Sequence, residues 1–376
     1  VITVALLATC LVIPGFAGAI DEELDVWNGE TVAPADSDGD GVYEINTPEE
    51  LAWAVNNSGG KSYILTTDIY LNHPDAVNWA TGEVNEGFEP REWFENVIFS
   101  GTFDGDGHIV YGLYYPIDNN KGHSAGVHVG LFPKVNASTT IKNIGVKSSY
   151  IETTGFAGAI TGYFGDLNVT GNIAFDNCFS DDTVTVKGYQ PSGKNCYTFA
   201  ASGILGAFYN VNGVSITNCW SNAKTSSINV GGKEDGRNNK IVGDIWLANA
   251  DWETKYNNLV MKNCYAVGTK PCPAKKQARF STMENVYSTA AAVATYGPWT
   301  QVSEDNMKGV ASVYNMPNLG DAYYMTKSTP ALKVFNKDYV EGVWTGLRDS
   351  HFEGEGTSES PYLVYTPEQL AYAVNT

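Results

Sequence analysis

A short mark recurs through the middle of the chain and limits its fold more than any other feature. It reads Lys142-Asn143-Ile144-Gly145, Asp176-Asn177-Cys178-Phe179-Ser180, Thr217-Asn218-Cys219-Trp220-Ser221, Lys262-Asn263-Cys264-Tyr265-Ala266 and Glu284-Asn285-Val286-Tyr287-Ser288. A second mark alternates with it: Ala157-Gly158-Ala159-Ile160-Thr161-Gly162-Tyr163, Ala201-Ser202-Gly203-Ile204-Leu205-Gly206-Ala207 and Val242-Gly243-Asp244-Ile245-Trp246-Leu247. From Asn143 to Asn285 there are 285 − 143 = 142 residues in seven steps from mark to mark, close to 20 per step. Short strands at a fixed period, divided by Gly and Asn turns, are expected of a solenoid wound from β segments. The spacing leaves open whether each mark has its own coil or two marks share one.

Side-chain parity adds a local constraint. Phe175, Ile216, Met261 and Met283 stand two residues before the Asn and suit an interior; Asp176, Thr217, Lys262 and Glu284 stand one before it and suit water. A straight strand would put Cys264 on the face of Lys262. A bend at Asn, which tolerates left-handed φ, turns the following residue inward instead. The Asn143, Asn177, Asn218, Asn263 and Asn285 amides are then expected to stack and hydrogen-bond from coil to coil. Cys178, Cys219 and Cys264 are expected as small hydrophobes in one internal column. On alternate coils they would lie ~9.6 Å apart, too far for a disulfide. With Cys10 set aside the Cys count is odd, and a Cys196–Cys272 bridge stays open.

Composition agrees with a folded, β-rich chain outside the nucleic-acid binders. Of 376 residues, 12% are aromatic and 43% hydrophobic, ample for a core. The net charge of −19 repels phosphate backbones. Residues 1–19 carry no charge and end in Ala17-Gly18-Ala19, as the apolar and cleavage regions of a secretory signal do; lacking Met and a basic start, they are expected to be an N-terminally truncated signal peptide. The expected address is therefore extracellular or the cell surface, with no membrane insertion apart from that segment.

The organisation expected is a linker at 20–35, a β module at 36–340 with a capping helix near 48–57, a linker at 341–352, and the start of a second, truncated copy at 353–376. The last point rests on a repeat: Thr47-Pro48-Glu49-Glu50-Leu51-Ala52-Trp53-Ala54-Val55-Asn56 returns as Thr366-Pro367-Glu368-Gln369-Leu370-Ala371-Tyr372-Ala373-Val374-Asn375. Each copy carries a capping box with Pro at the first helical position, so each predicts a short helix covering an open sheet end.

Ser100-Gly101-Thr102-Phe103-Asp104-Gly105-Asp106-Gly107-His108-Ile109-Val110-Tyr111-Gly112-Leu113-Tyr114 resembles a stretch typical of bacterial surface proteins with GLUG-type repeats. Val129-Gly130-Leu131-Phe132, Ile141-Lys142-Asn143-Ile144-Gly145-Val146 and Thr329-Pro330-Ala331-Leu332-Lys333 resemble the pieces that follow it. The similarity covers roughly 38–335 and restarts near 353. It implies an all-β, right-handed parallel β-helix, pectate-lyase-like, on an exported bacterial, adhesin-like protein. The 224–258 stretch departs from the pattern and is expected to be a loop or lateral insert.

Chemistry is thinly signalled. Asp36, Asp38 and Asp40, with Gly41, resemble the opening of a calcium loop, but Thr47 stands where a bidentate Glu is needed, so a polar turn competes with calcium. No other cofactor is implied. Asp104-Gly105-Asp106-Gly107-His108 reads as a tight turn between two strands, with His108 as a base the lesser alternative. Gly60-Lys61-Ser62 lacks the first Gly of a phosphate loop and is rejected. If the chain is an enzyme, a polysaccharide lyase or glycoside hydrolase, the acids would be Asp166, Asp176, Asp181 and Asp182, with Lys187 beside them. The competing reading makes Asp176 an outward residue of its row and Asp181-Asp182 a solvated turn. Trp79, Trp93, Trp246, Trp252 and Trp299 lie in or near polar stretches and are candidates for exposed aromatic contacts, while the competing reading makes most aromatics of such a coil core. The leading expectation is a non-catalytic module presenting a surface to glycans or to host or neighbouring surface proteins. The alternatives are the enzyme and a passive spacer.

Overall fold

The computed structural model describes residues 24–375, except 118–125, 166–170, 191–198, 210–212, 230–231, 235, 247–257, 275–279 and 294–296. The signal segment, Cys10, Asp166, Cys196 and Trp252 lie outside the described residues, and so does the side chain of Trp246.

The structure is mostly β, and its three main sheets are parallel. The first and largest sheet pairs Val42–Ile45, Ser62–Leu65, Thr102–Tyr111, Thr139–Lys147, Ile173–Asp176, Val214–Thr217, Leu259–Ala266 and Thr282–Ser288, each parallel to the next. A second sheet pairs Tyr114–Tyr115, Ser149–Thr153, Val184–Tyr189 and Lys224–Ile228. A third pairs Ile98–Phe99, Phe132–Val135, Thr161–Phe164, Leu205–Tyr209 and Val242–Trp246. From Ile98 to Ile228 the chain visits the third, first and second sheets in that order and then begins again.

The registers give the length of one pass. Ile141 pairs with Phe175, Phe175 with Ile216 and Ile216 with Met261, so successive passes take 34, 41 and 45 residues. Both sequence marks therefore belong to one pass: the Asn mark lies on the first sheet, while the Gly-Ile mark opens the third-sheet strands. Of the two arrangements the spacing left open, the registers thus match the one in which two marks share a pass. Cys178, Cys219 and Cys264 accordingly sit on adjacent strands, so the alternate-coil spacing does not apply to them.

The bend at Asn is present at every mark. Asn143, Asn177, Asn218, Asn263 and Asn285 all have φ between 51° and 54°. Inward residues two before them (Ile141, Phe175, Ile216, Met261) and one after them (Ile144, Cys178, Cys219, Cys264, Val286) are buried in one core. Two inward positions three residues apart do not fit a straight strand, and the left-handed Asn reconciles them. The third position after each bend returns inward, where Ser180, Ser221 and Ser288 are buried and the Ser180 and Ser221 hydroxyls lie 2.9 Å apart.

The second position after each bend faces outward yet stays covered. Phe179 stacks on Trp220 at 4.8 Å, and Trp220 on Tyr265 at 5.4 Å. Residues 302–335 lie over this column. They bury Val302, Met307, Met316, Leu319, Tyr323 and Leu332 against Phe179, Tyr265 and Tyr287 in a second core. The Tyr265 hydroxyl donates to Pro330 O (2.6 Å) and the Tyr323 hydroxyl to Asn263 O (3.0 Å). The flank contains the helix Gly309–Asn315 and an antiparallel pair, Tyr323–Tyr324 with Ala331–Leu332. The C-terminal part of the expected 36–340 module is thus a cover laid on a sheet face.

Three smaller expectations also change. Residues 104–108 are a bulge inside the single strand Thr102–Tyr111: pairing shifts between Asp104 with Lys142 and His108 with Ile144, and Asp106 and Gly107 take positive φ. The 224–258 stretch contributes Lys224–Ile228 and Val242–Trp246 to regular sheets. Residues 24–35 pack on the module, with Trp27 buried against Trp93 (5.0 Å) and Val26 bridged to Tyr70.

Candidate functional site

The outward face of the first sheet, just before the Asn bends, holds one residue per strand. Asp104, Lys142, Asp176, Thr217, Lys262 and Glu284 follow each other in register. The row is held by its own charges: Lys142 Nζ lies 2.8 Å from Asp104, and Lys262 Nζ 2.7 Å from Glu284. Such partly exposed pairs fix side-chain positions but contribute only ~1 kcal/mol or less each.

Beside this row runs the amide ladder. Asn177 Nδ2 donates to Asn143 Oδ1 (2.9 Å), Asn263 to Asn218 (3.2 Å) and Asn285 to Asn263 (2.9 Å). The row and the ladder are cross-linked in two places, where Asn143 donates to Asp104 (2.8 Å) and Asn218 to Asp176 (2.9 Å). The second cross-link diverts Asn218 from Asn177, whose buried Oδ1 is left without a hydrogen-bond partner.

The two row acids differ in their titration. Burial pulls the Asp104 carboxyl upward, but hydrogen bonds from Lys142, Asn143 and the Asp106 N–H outweigh it and hold the group below the usual carboxylate range. Burial also raises Asp176, and there the bonds from Asn218 and the Asn177 N–H do not cancel it.

Among the described residues, the acids proposed from sequence do not converge. Asp176 lies in the row. Asp181 is on the far side of the bend, 3.4 Å from Lys147 and bonded to the Thr183 N–H (3.0 Å). Asp182 is exposed in the following turn. Lys187 is on the second sheet and donates to the Tyr150 hydroxyl (2.8 Å). His108 Nδ1 lies 3.1 Å from Asp68, and its Nε2 faces Lys337 Nζ at 3.1 Å, so the imidazole ties the bulge to the flank. Trp93 and Trp299 are buried in the main core, which matches the core reading for these two and not the exposed-contact one.

The Cys side chains are engaged in packing. The Cys178 N–H points at Cys219 Sγ and the Cys219 N–H at Cys264 Sγ, both at 3.4 Å. Cys178, Cys219, Cys264 and Cys272 are free thiols, all buried. Burial pushes Cys264 up to about 12 and Cys219 well above its ordinary value, so neither carries a thiolate near neutral pH.

Asp36, Asp38 and Asp40 form an exposed acidic triad, with ligand oxygens within 4.8 Å of one another. Backbone donors already occupy it: Gly39 and Gly41 N–H bond Asp36 (2.8 and 3.0 Å), and the Val42 N–H bonds Asp40 (2.8 Å). Thr47, at the twelfth position, is committed as the helix N-cap and accepts from the Glu50 N–H at 3.2 Å.

Sequence reasoning missed a cleft of about 580 Å³ where the amide ladder meets the flank. Asn263 and Asn285 form one side; Met316, Asp321, Tyr323 and Tyr324 form the other. The close approach depends on Gly320 (φ +102°), where a Cβ would come within 2.9 Å of the Asn263 amide. The flank residues carry no periodic mark, and only the Tyr323-Tyr324-Met325 cluster between polar turns hinted at a wall. Amides, a carboxylate and phenol rings around such a volume suit a ligand that is polar at its edges and apolar on its faces. No protein-family model, no curated protein and no solved structure matches this chain.

Proposed function

We propose that this chain is a non-catalytic, exported module of a repetitive bacterial surface protein, akin to GLUG-repeat adhesin-like proteins, and that it presents a rigid acidic face to glycans or partner proteins. Its architecture on this reading is a right-handed parallel β-helix. The cyclic order of the three sheets supports the winding, and right-handedness is the rule for parallel crossovers. The single observation that carries the functional reading is the register. Six strands hold one charged row and one amide ladder in fixed positions beside the cleft, so a binder meets a surface that is already ordered. Sugars fit the cleft chemistry: their hydroxyls match the Asn and Asp groups and their C–H faces match Tyr324.

The test is capture on a glycan array by wild-type protein, Tyr324→Ala and Asp321→Ala. The reading expects capture by wild type, a loss of tenfold or more in both variants, and unchanged thermal midpoints. Equal capture by all three proteins, or none by wild type, contradicts glycans as the ligand.

One observation favours a carbohydrate-active enzyme as the second reading. Asp104, held low, and Asp176, pushed high, lie two strands apart across Lys142, and a split of this kind suits an acid–base pair. Release of reducing ends or unsaturated sugars by wild type, abolished in Asp176→Asn, would establish it. Calcium at Asp36, Asp38 and Asp40 is a separate reading that expects a rise in thermal midpoint with added calcium, lost in Asp38→Asn.

A further inference from the structure

The chain contains its lid twice. The helix Pro48–Asn56 and the helix Pro367–Ala373 both carry a complete capping box, from Thr47 with Glu50 and from Thr366 with Gln369. The likeness extends further back, because Val26-Trp27-Asn28-Gly29 returns as Val343-Trp344-Thr345-Gly346. The internal bonds return with it. Trp27 Nε1 donates to Glu30 O (2.8 Å), as Trp344 Nε1 does to Leu347 O (2.5 Å). The Asn28 N–H bonds the Glu49 carboxylate (3.2 Å), as the Thr345 N–H bonds Glu368 (3.0 Å). The Val32 N–H bonds Glu49 O, as the Asp349 N–H bonds Glu368 O, both at 3.1 Å.

What differs is the cover. In the first lid Trp27 is 5% exposed, and Ile45, Leu51 and Val55 are 0% exposed. Their counterparts Trp344, Val364, Leu370 and Val374 are 52%, 44%, 54% and 70% exposed. The first lid also shows what belongs on that face. Val42–Ile45 pairs in parallel with Ser62–Leu65, the helix packs on the Ile98–Phe99 strand, and Trp27 meets Trp93 and Phe94 edge-on. Among the described residues, the only strand contact of the segment 361–364 is the bridge between Glu353 and Leu363.

We propose that residues 343–375 are the lid of a further β module, and that their exposed apolar face docks the opening strands of that module, joined in tandem. The occupant is a parallel strand like Ser62–Leu65, with a strand like Ile98–Phe99 beneath the helix and an aromatic pair like Trp93 and Phe94 on the indole. The argument rests on the internal repeat and its exposure, and is independent of the glycan reading.

The register defines the experiment. Asn375 and Thr376 occupy the places of Asn56 and Asn57, so residues 58–340 are fused directly after Thr376 of the full chain. Hydrogen exchange at 361–375 should slow on the order of 100-fold relative to the unfused chain, and Trp344 fluorescence should shift to the blue. Leu370→Asp with Val374→Asp should abolish both changes. Unchanged exchange at 361–375, with native exchange in the appended module, overturns the proposal. If the appended module does not fold, a lid swap decides: residues 343–376 replace 26–57 ahead of the first module. A cooperative melt within a few degrees of wild type supports the proposal, and an unfolded chimera overturns it. An unfused chain that dimerises, and becomes monomeric in Leu370→Asp, overturns it in favour of a second copy as occupant.

Discussion

Each bend Asn does two jobs at once, and substitution separates them. Asn218 sits at φ 52°, donates to Asp176 and accepts from Asn263. Asn218→Gly keeps the backbone conformation and loses the amide; Asn218→Ala loses both. Alanine should therefore be less stable than glycine by about 1 kcal/mol, the ordinary left-handed penalty, in urea unfolding. Equal stability of the two variants would remove the backbone role. His128 makes a pH prediction. It packs in one cluster with Phe156 (5.2 Å) and Tyr163 (4.6 Å), its Nδ1 accepts from the Phe156 N–H, and burial, with Lys134 nearby, pushes its pKa down to about 3. The folded state keeps the ring neutral while the unfolded chain protonates it near 6.5, so the unfolded state gains stability as pH falls. The loss begins below about 6.5 and reaches about 2 kcal/mol by pH 5. Comparing denaturant midpoints of wild type and His128→Gln at pH 7 and pH 5 checks it: the wild-type decline should exceed the variant's by about that amount.

At the scale of elements, the two lids offer a matched pair. Leu51→Ala opens a cavity under a covered helix and should cost about 2–5 kcal/mol, whereas Leu370→Ala, on an uncovered one, should cost under about 0.5 kcal/mol. Similar losses at both sites would mean that the second lid is covered after all. These lids were legible in sequence because a capping box is a local device: Thr, Pro and Glu or Gln act within one turn. The Asn bend was legible for the same reason, since the clash between Lys262 outside and Cys264 inside resolves within three residues. The flank was not. Its burial depends on Phe179, Trp220, Tyr265 and Tyr287 forming a column across separate strands, which no local pattern announces. The cleft escaped with it, because half of its wall is flank. The bulge at 104–108 was misread as a turn because Asp-Gly-Asp-Gly suits either, and only pairing beyond His108 decides between them. The first part of the lid, from Trp27, was hidden by a shift of two residues between the copies: Trp27 returns after 317 residues, Thr47 after 319.

At the scale of the whole molecule, one physical idea links the parts. Successive passes of the chain lie parallel and in register, so side chains at matching positions fall into columns of core, amide, charge and aromatic groups. The row Thr102, Thr140, Ala174, Ser215, Val260 and Thr282 has one residue per strand in unbroken register. Paired spin labels along it test the account most directly. From a label at Thr140, distances to Ser215, Val260 and Thr282 should rise by one strand spacing per step, to about 10, 14 and 19 Å between backbones. Distances that fail to rise in that order, as another strand order or a slipped register would give, contradict the account.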